Sequence, residues 1–266
     1  MIIIANIFAI FRKELQSYFA SPLAYIVAGV FWLLSGLFFW ELLLSPTGLV
    51  QEVQAGDATG LITGSTDVAY IFLIQFLSVI GSLISPIILP MLSMGLYAEE
   101  RKNHTLELIA TSPLTNWVVA VGKLCGVLTF YTVLLVPLFI YQIIAFSTAS
   151  PPVPPAVPLL ANLGLILLAA SILSLGMFIS SLTSSSMIAA LVTFFIVFLF
   201  ISLHFISGQI SEPFGSILRY LSPVQHYDNF VRGIFETSSL FVFLSYIILG
   251  IFLTAQSIET LRFNRS

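Results

Sequence analysis

The chain has 266 residues, of which 58% are hydrophobic and 8% charged, against roughly 25% charged residues in a soluble domain. Its mean hydropathy of +1.07 excludes a water-soluble globular domain, because no soluble core buries that much apolar surface; the chain reads as an integral membrane protein. In a membrane chain the net charge of −3 says little about soluble partners and the sign of each loop matters more; nucleic acid is not an expected ligand, and the single cysteine, Cys125, excludes an intrachain disulfide. The place of Cys125 in an apolar run predicts a buried, inert thiol.

In chain order, Ile4, Ile7, Phe8, Phe11, Leu15, Tyr18 and Phe19 recur at three- and four-residue spacing, with Arg12, Lys13 and Gln16 on the other face. This predicts an amphipathic interfacial helix over 1–21 with its aromatics in the headgroup layer. Ser21-Pro22 is a natural break between this helix and the first apolar run; a plain extension of the first span is the other reading.

Six apolar runs come next, at 22–44, 70–97, 117–146, 158–180, 187–207 and 240–258. Each is near the roughly 20 residues with which an α-helix crosses a bilayer. A barrel strand would alternate apolar and polar residues, whereas 188–200 is apolar on every face. The fold class is therefore an all-α membrane protein with six transmembrane helices. Pro86, Pro90 and Pro137 are expected to bend the second and third. The Pro-rich stretch 150–158 predicts a stiff extended connector, and 181–186 a turn so short that spans 4 and 5 must be antiparallel neighbours.

Loop charge orients the bundle. Arg12, Lys13, Arg101, Lys102, Lys123, Arg262 and Arg265 fall on one side, and only Arg219 and Arg232 on the other. The positive-inside rule then puts both termini and the 98–116 loop in the cytoplasm of a plasma (inner) membrane. On the external side, 208–239 interleaves apolar residues with Glu212, Arg219, Asp228, Arg232 and Glu236. It is expected to form short helices at the outer leaflet, either a gate over a translocation path or a cap holding spans 5 and 6.

Catalytic constellations are missing. Gly122-Lys123 lacks the other glycines and the strand of a phosphate-binding loop. His104, His204 and His226 are dispersed, with no cysteine or paired carboxylate at ligand spacing, so neither a metal site nor a bound cofactor is expected. Glu41 and His204 lie near span ends and can snorkel.

The charged loop is the densest signal. Glu99, Glu100, Arg101, Lys102 and Glu107 fall within nine positions. Thr105 is placed to cap a short helix over 106–110, ended by Thr111-Ser112-Pro113. Leu106, Leu108, Ile109 and Leu114 offer apolar anchors for a partner, and Glu99, Glu100, Arg101 and Glu107 offer charges that fix its register.

Here the chain resembles a known family. Glu99-Glu100-Arg101, Thr105-Leu106-Glu107-Leu108, Ser112-Pro113-Leu114 and Gly122-Lys123 resemble the loop between spans 2 and 3 of type-2 ATP-binding-cassette (ABC) exporter permeases. Leu221-Ser222-Pro223, His226-Tyr227, Phe230 and Arg232-Gly233 resemble that family's segment before the last span, especially in its gliding-motility-type subgroup. The resemblance implies a permease subunit without ATPase activity of its own, with ATP and Mg bound on a separate ATPase subunit. It implies a coupling helix in 98–116, with Glu99, Glu100, Arg101, Thr105, Leu106, Glu107, Leu108, Pro113 and Leu114 at the ATPase interface. It also implies pairing with a second copy or a related permease, and an outer gate at Pro223, His226, Phe230, Arg232 and Gly233. Two other classes stay open: an ion-coupled secondary transporter or channel, and a non-transporting anchor of a larger complex. The first normally needs midplane acids, a broken helix or an internal repeat, and none is evident.

Overall fold

The computed structural model describes residues 2–59, 67–106, 115–147 and 154–263, and every regular element among them is helical. Six helical runs are long and apolar enough to cross a membrane: Pro22–Gln54, Val68–Lys102, Asn116–Ser147, Ala156–Leu182, Ser186–Ser207 and Thr237–Thr260, called spans 1 to 6. The end that carries the 98–116 loop is called proximal and the opposite end distal.

Local chemistry sets the span boundaries. Span 1 opens with Pro22 at a first-turn position, where a missing N–H costs nothing, after Ser21 in extended conformation. Span 2 opens on Asp67, whose carboxylate accepts from Tyr70 N at 2.9 Å. Span 4 ends at Leu182 and span 5 begins at Ser186, the tight antiparallel connection expected of 181–186.

Two features inside the spans carry no sequence signal. Trp40–Leu44 and Ile80–Ile84 are π-helical, each a local widening of the kind found at functional sites. The bend expected at Pro137 is present as a turn at Leu135. Leu138 N donates to Leu135 O rather than to Leu134 O, and the released Leu134 carbonyl accepts the Trp32 indole N–H of span 1 at 3.0 Å.

Span 4 is the centre of the bundle, with 67% of its apolar window buried, against 17% for span 5. Span 5 accordingly turns Met187, Leu191, Phe195 and Phe198 outward, a surface only lipid or another membrane protein can cover. Spans 4 and 6 pack backbone to backbone. A Cβ on Gly250 would sit 2.6 Å from the Ser174 carbonyl carbon, and the hydroxyls of Ser171 and Ser174 donate to Phe243 O and Tyr246 O at 3.3 and 3.2 Å.

The N-terminal helix, Ile2–Ala20, forms over the stretch expected to be amphipathic and packs on the bundle. It runs along span 3, with Ile10 against Gly122, Glu14 against Gly126 and the Tyr18 ring 5.1 Å from Phe130. Both glycines are required there, because a Cβ at either would lie 2.8 Å from an N-terminal-helix side chain. Its large apolar residues Ile3, Ile4, Phe8 and Phe19 stay exposed. The expectation for Cys125 is corrected: it is exposed rather than buried, since Gly122, Lys123 and Gly126 take the inward face of that turn.

Candidate functional site

Lys123 lies about two turns into span 3 and is 2% exposed. A lone ammonium at that depth would carry a desolvation cost of several kcal/mol, and two elements converge on it to offset that cost. Its Nζ donates to Glu14 Oε1 of the N-terminal helix at 2.8 Å, and to Glu100 Oε1 at 2.9 Å and Leu96 O at 2.8 Å near the end of span 2. It also lies 4.9 Å from the centre of the buried Tyr97 ring, within cation–π range. Lys13 adds a second, longer contact to Glu100 at 3.6 Å, but its side chain is 68% exposed and the interaction is screened by water.

The proximal end of span 2 is held by side chains rather than by its own ladder alone. The helix is interrupted at Met94. Ser180 of span 4 donates to Met94 O at 2.7 Å and accepts from the N–H groups of Tyr97 and Ala98 at 3.0 Å each. One turn back, the Tyr18 hydroxyl donates to Leu92 O at 2.6 Å. Burial, with the carboxylates of Glu14 and Glu99 adding, pushes the Tyr18 phenol well above its ordinary 10.0, so it remains a donor. Arg101 Nη1 donates to Ser181 O at 2.7 Å, and Asn116 at the start of span 3 donates to Ala255 O of span 6.

Span 2 then closes with paired terminal bonds: His104 N donates to Arg101 O at 3.3 Å and Thr105 N to Glu100 O at 2.9 Å. His104 sits at φ 56° in the left-handed region, which this helix end requires and which glycine or asparagine usually supplies. The Thr105 hydroxyl points back to Glu100 O at 3.2 Å.

Of the residues expected to meet a partner, Glu99 is exposed at the surface, while Glu100 and Arg101 are half-buried and turned to the chain's own contacts. Leu106 is a correction: it is 3% exposed and belongs to the chain's own core, so it is not a free anchor. Glu107, Leu108, Pro113 and Leu114, with the helix expected over 106–110 beyond its first residue, lie outside the described residues. Glu14, at the centre of the cluster, drew no sequence assignment. Its one signal is an acid on the Ile7, Phe11, Tyr18 face of an otherwise apolar stripe.

At the distal end, Phe214–Leu221 and Pro223–Val231 form two short helices. The second is built into the bundle rather than laid over it. The Tyr227 ring covers Gly81 in the π-helical stretch of span 2, and its hydroxyl donates to Leu77 O at 2.6 Å. Phe230 is fully buried against Gly164 of span 4. His226 lies between Ser239 Oγ and Tyr220 O, at 2.9 Å from each; the carbonyl can only accept, so Nε2 carries the proton. Gly233, at φ 78°, closes the helix through Gly233 N to Phe230 O at 3.0 Å and Ile234 N to Asn229 O at 2.9 Å. Pro223 is buried at the first turn, and Arg232 is exposed, with its carbonyl accepting from the Tyr70 hydroxyl. Burial raises the Asp228 carboxyl above its ordinary 3.8, with His204 and Arg232 drawing it back down. Four of the five candidate gate residues thus hold this helix in the core or terminate it, and Arg232 alone keeps its side chain at the surface.

Compared with known proteins, no curated sequence matches the chain. Among protein families, residues 57–255 match the one described as ABC-2 family transporter protein. The match starts ahead of span 2 and runs into span 6, taking in the 98–116 loop, Glu100, Lys123 and both distal helices, while Glu14 lies ahead of it. Six apolar helices and a family match over most of the sequence lead to one conclusion: the chain belongs to the ABC-2 family of transporters, as a multi-pass membrane permease.

Proposed function

We propose that this permease is the membrane subunit of an ABC exporter of the gliding-motility type, moving its substrate with ATP hydrolysed on a separate subunit that binds ATP and Mg. In this reading it pairs with a second copy or a related permease in a plasma (inner) membrane, with both termini and the 98–116 loop in the cytoplasm. The loop is the coupling element, with Glu107, Leu108 and Leu114 toward the ATPase and Leu106 as its tether to the permease core.

The observation that carries the reading is the Lys123 cluster. A buried ammonium tied to Glu14, Glu100 and Leu96 O joins the base of the loop to the N-terminal helix and span 3. Displacement of the loop by a partner would therefore be passed to three elements at once instead of being absorbed at a flexible base. The distal helix Pro223–Val231 contacts spans 2 and 4 through Tyr227 and Phe230, a position from which it would follow motion of span 2 and open or close the far side.

The test is charge reversal at Glu107. If this carboxylate pairs with a basic residue of the ATPase, Glu107→Lys weakens docking by about 2–5 kcal/mol, more than tenfold. The permease stays in the membrane, while copurification of the ATPase or its substrate-stimulated hydrolysis is lost. Normal recovery of ATPase with normal stimulated hydrolysis would instead assign the loop charges to topology alone.

A further inference from the structure

The distal helix Phe214–Leu221 keeps an apolar stripe that the chain does not cover. Phe214, Ile217 and Leu221, at three- and four-residue spacing, are 69%, 54% and 48% exposed. The stripe is nonetheless held rigidly at its C-terminal turn. His226 Nε2–H donates to Tyr220 O at 2.9 Å, the Tyr246 hydroxyl of span 6 to Leu221 O at 2.8 Å, and the Ser222 hydroxyl to Phe200 O of span 5 at 3.0 Å.

Between this turn and span 6 runs a groove of about 250 Å³ lined chiefly by Tyr220, Leu221, Phe241, Val242, Tyr246 and Leu249. It is smaller than the roughly 300–1,000 Å³ of pockets that enclose drug-sized ligands, and its walls are mostly hydrocarbon, which suits a flexible chain segment. Arg219, the residue before Tyr220, is exposed and forms no salt bridge among the described residues. The other basic residue of this segment, Arg232, acts on the Asp228 carboxylate. An apolar groove with an uncommitted cation on the residue adjoining its Tyr220 wall, in the same helix, complements an amphiphile whose anionic head lies next to its hydrocarbon tail.

We propose that this groove holds an acyl chain of an anionic phospholipid from the distal leaflet, with Arg219 taking the headgroup phosphate. The proposal concerns only the distal end of the bundle and does not depend on which side of the membrane that is. It extends the permease reading by naming a lipid partner, and its test does not involve the ATPase.

The experiment uses the full-length chain with Cys125→Ser and Ile248→Cys, a position 60% exposed on span 6 that flanks the groove without lining it. Labelled there with a small fluorophore and reconstituted in dioleoylphosphatidylcholine vesicles, it is titrated with spin-labelled phosphatidylglycerol or spin-labelled phosphatidylcholine. One cation near the surface is worth about a fivefold preference for the anionic lipid. That preference should fall to near one in Arg219→Gln and persist in Arg232→Gln. Leu249→Trp, which fills the groove, should reduce quenching by both lipids. Equal quenching by the two lipids with Arg219 intact overturns the proposal, as does a preference that survives Arg219→Gln. Absence of quenching by either lipid in the parent protein assigns the groove to a second copy and overturns it as well.

Discussion

Replacing Lys123 by methionine removes the charge and keeps most of the side-chain volume, and the geometry of the cluster sets the consequence. An ion pair at 2.8 Å is worth about 6 kcal/mol at an effective dielectric constant of about 20. Desolvation of the ions, several kcal/mol each, takes most of that back. The intact cluster therefore adds little net stability. Its removal is costly, because Glu14 and Glu100, with side chains 10% and 16% exposed, would face each other without a counter-charge. Breaking a buried pair from one side costs about 3–5 kcal/mol. Unfolding of the full chain in mixed micelles by increasing dodecyl sulfate measures this, with Trp117, which packs 5.8 Å from Phe252 of span 6, as a fluorescence reporter. Glu14→Gln and Glu100→Gln each leave one carboxylate on the ammonium and should cost less than Lys123→Met. The triple variant with Lys123→Met, Glu14→Gln and Glu100→Gln should regain most of the loss, since neutral groups carry no charge to desolvate. A Lys123→Met protein within about 1 kcal/mol of the parent, or a triple variant as weak as Lys123→Met, would refute a charge cluster held by mutual compensation.

Three further outcomes are expected. Gly250→Ala sets a methyl 2.6 Å from the Ser174 carbonyl carbon, which cannot rotate away, so the same unfolding assay should read a loss of about 1–3 kcal/mol; an unchanged midpoint would contradict the close approach of spans 4 and 6. Single cysteines at Gly56 and Pro154 in a Cys125→Ser background should react with an impermeant thiol reagent in intact cells, and one at Asn103 should not; the reverse pattern would invert the orientation proposed from loop charge. Because burial raises the Asp228 carboxyl above its ordinary 3.8, its contribution to stability is fully present below that ordinary value and is lost as pH rises through the raised one. Asp228→Asn should therefore flatten the acid side of the stability profile, and an unaltered profile in that variant would sink the assignment.

The spans were legible because each satisfies a rule of length and hydrophobicity that needs no partner. The site was legible only in part. Crowded charge marked Glu99 to Glu107, but a sum over loop charges treats Lys123 as one more positive residue facing water. Its actual neutralisation joins positions 109 and 23 residues away, Glu14 and Glu100, and no local pattern announces a contact at that separation. Cys125 reads as buried because both faces of span 3 are apolar, and which face turns inward is decided by what packs there; Leu106, past the end of span 2, packs back on the core, which no local pattern marks. Phe230, Tyr227 and Gly233 read as features of a surface segment because charges interrupt it, whereas the structure spends the apolar residues on spans 2 and 4 and leaves Glu212, Arg219, Arg232 and Glu236 at the surface. The π-helical stretches have no composition that sets them apart from α-helix.

The order of Glu14, Glu100 and Lys123 along the chain has a consequence for biogenesis. A lysine about two turns inside an apolar helix opposes membrane insertion, by about 2.5–3.5 kcal/mol at a helix centre. Both carboxylates that end up on its ammonium precede it in the sequence, so they have already been synthesised when span 3 leaves the ribosome. The nascent span need not hold a bare charge in lipid until the protein is finished; it can enter beside the N-terminal helix, with Gly122 and Gly126 giving the two backbones room to meet. Moving the acid from Glu14 to a position after span 3 would leave the finished charge count unaltered and yet deprive the lysine of one of its two carboxylates during insertion.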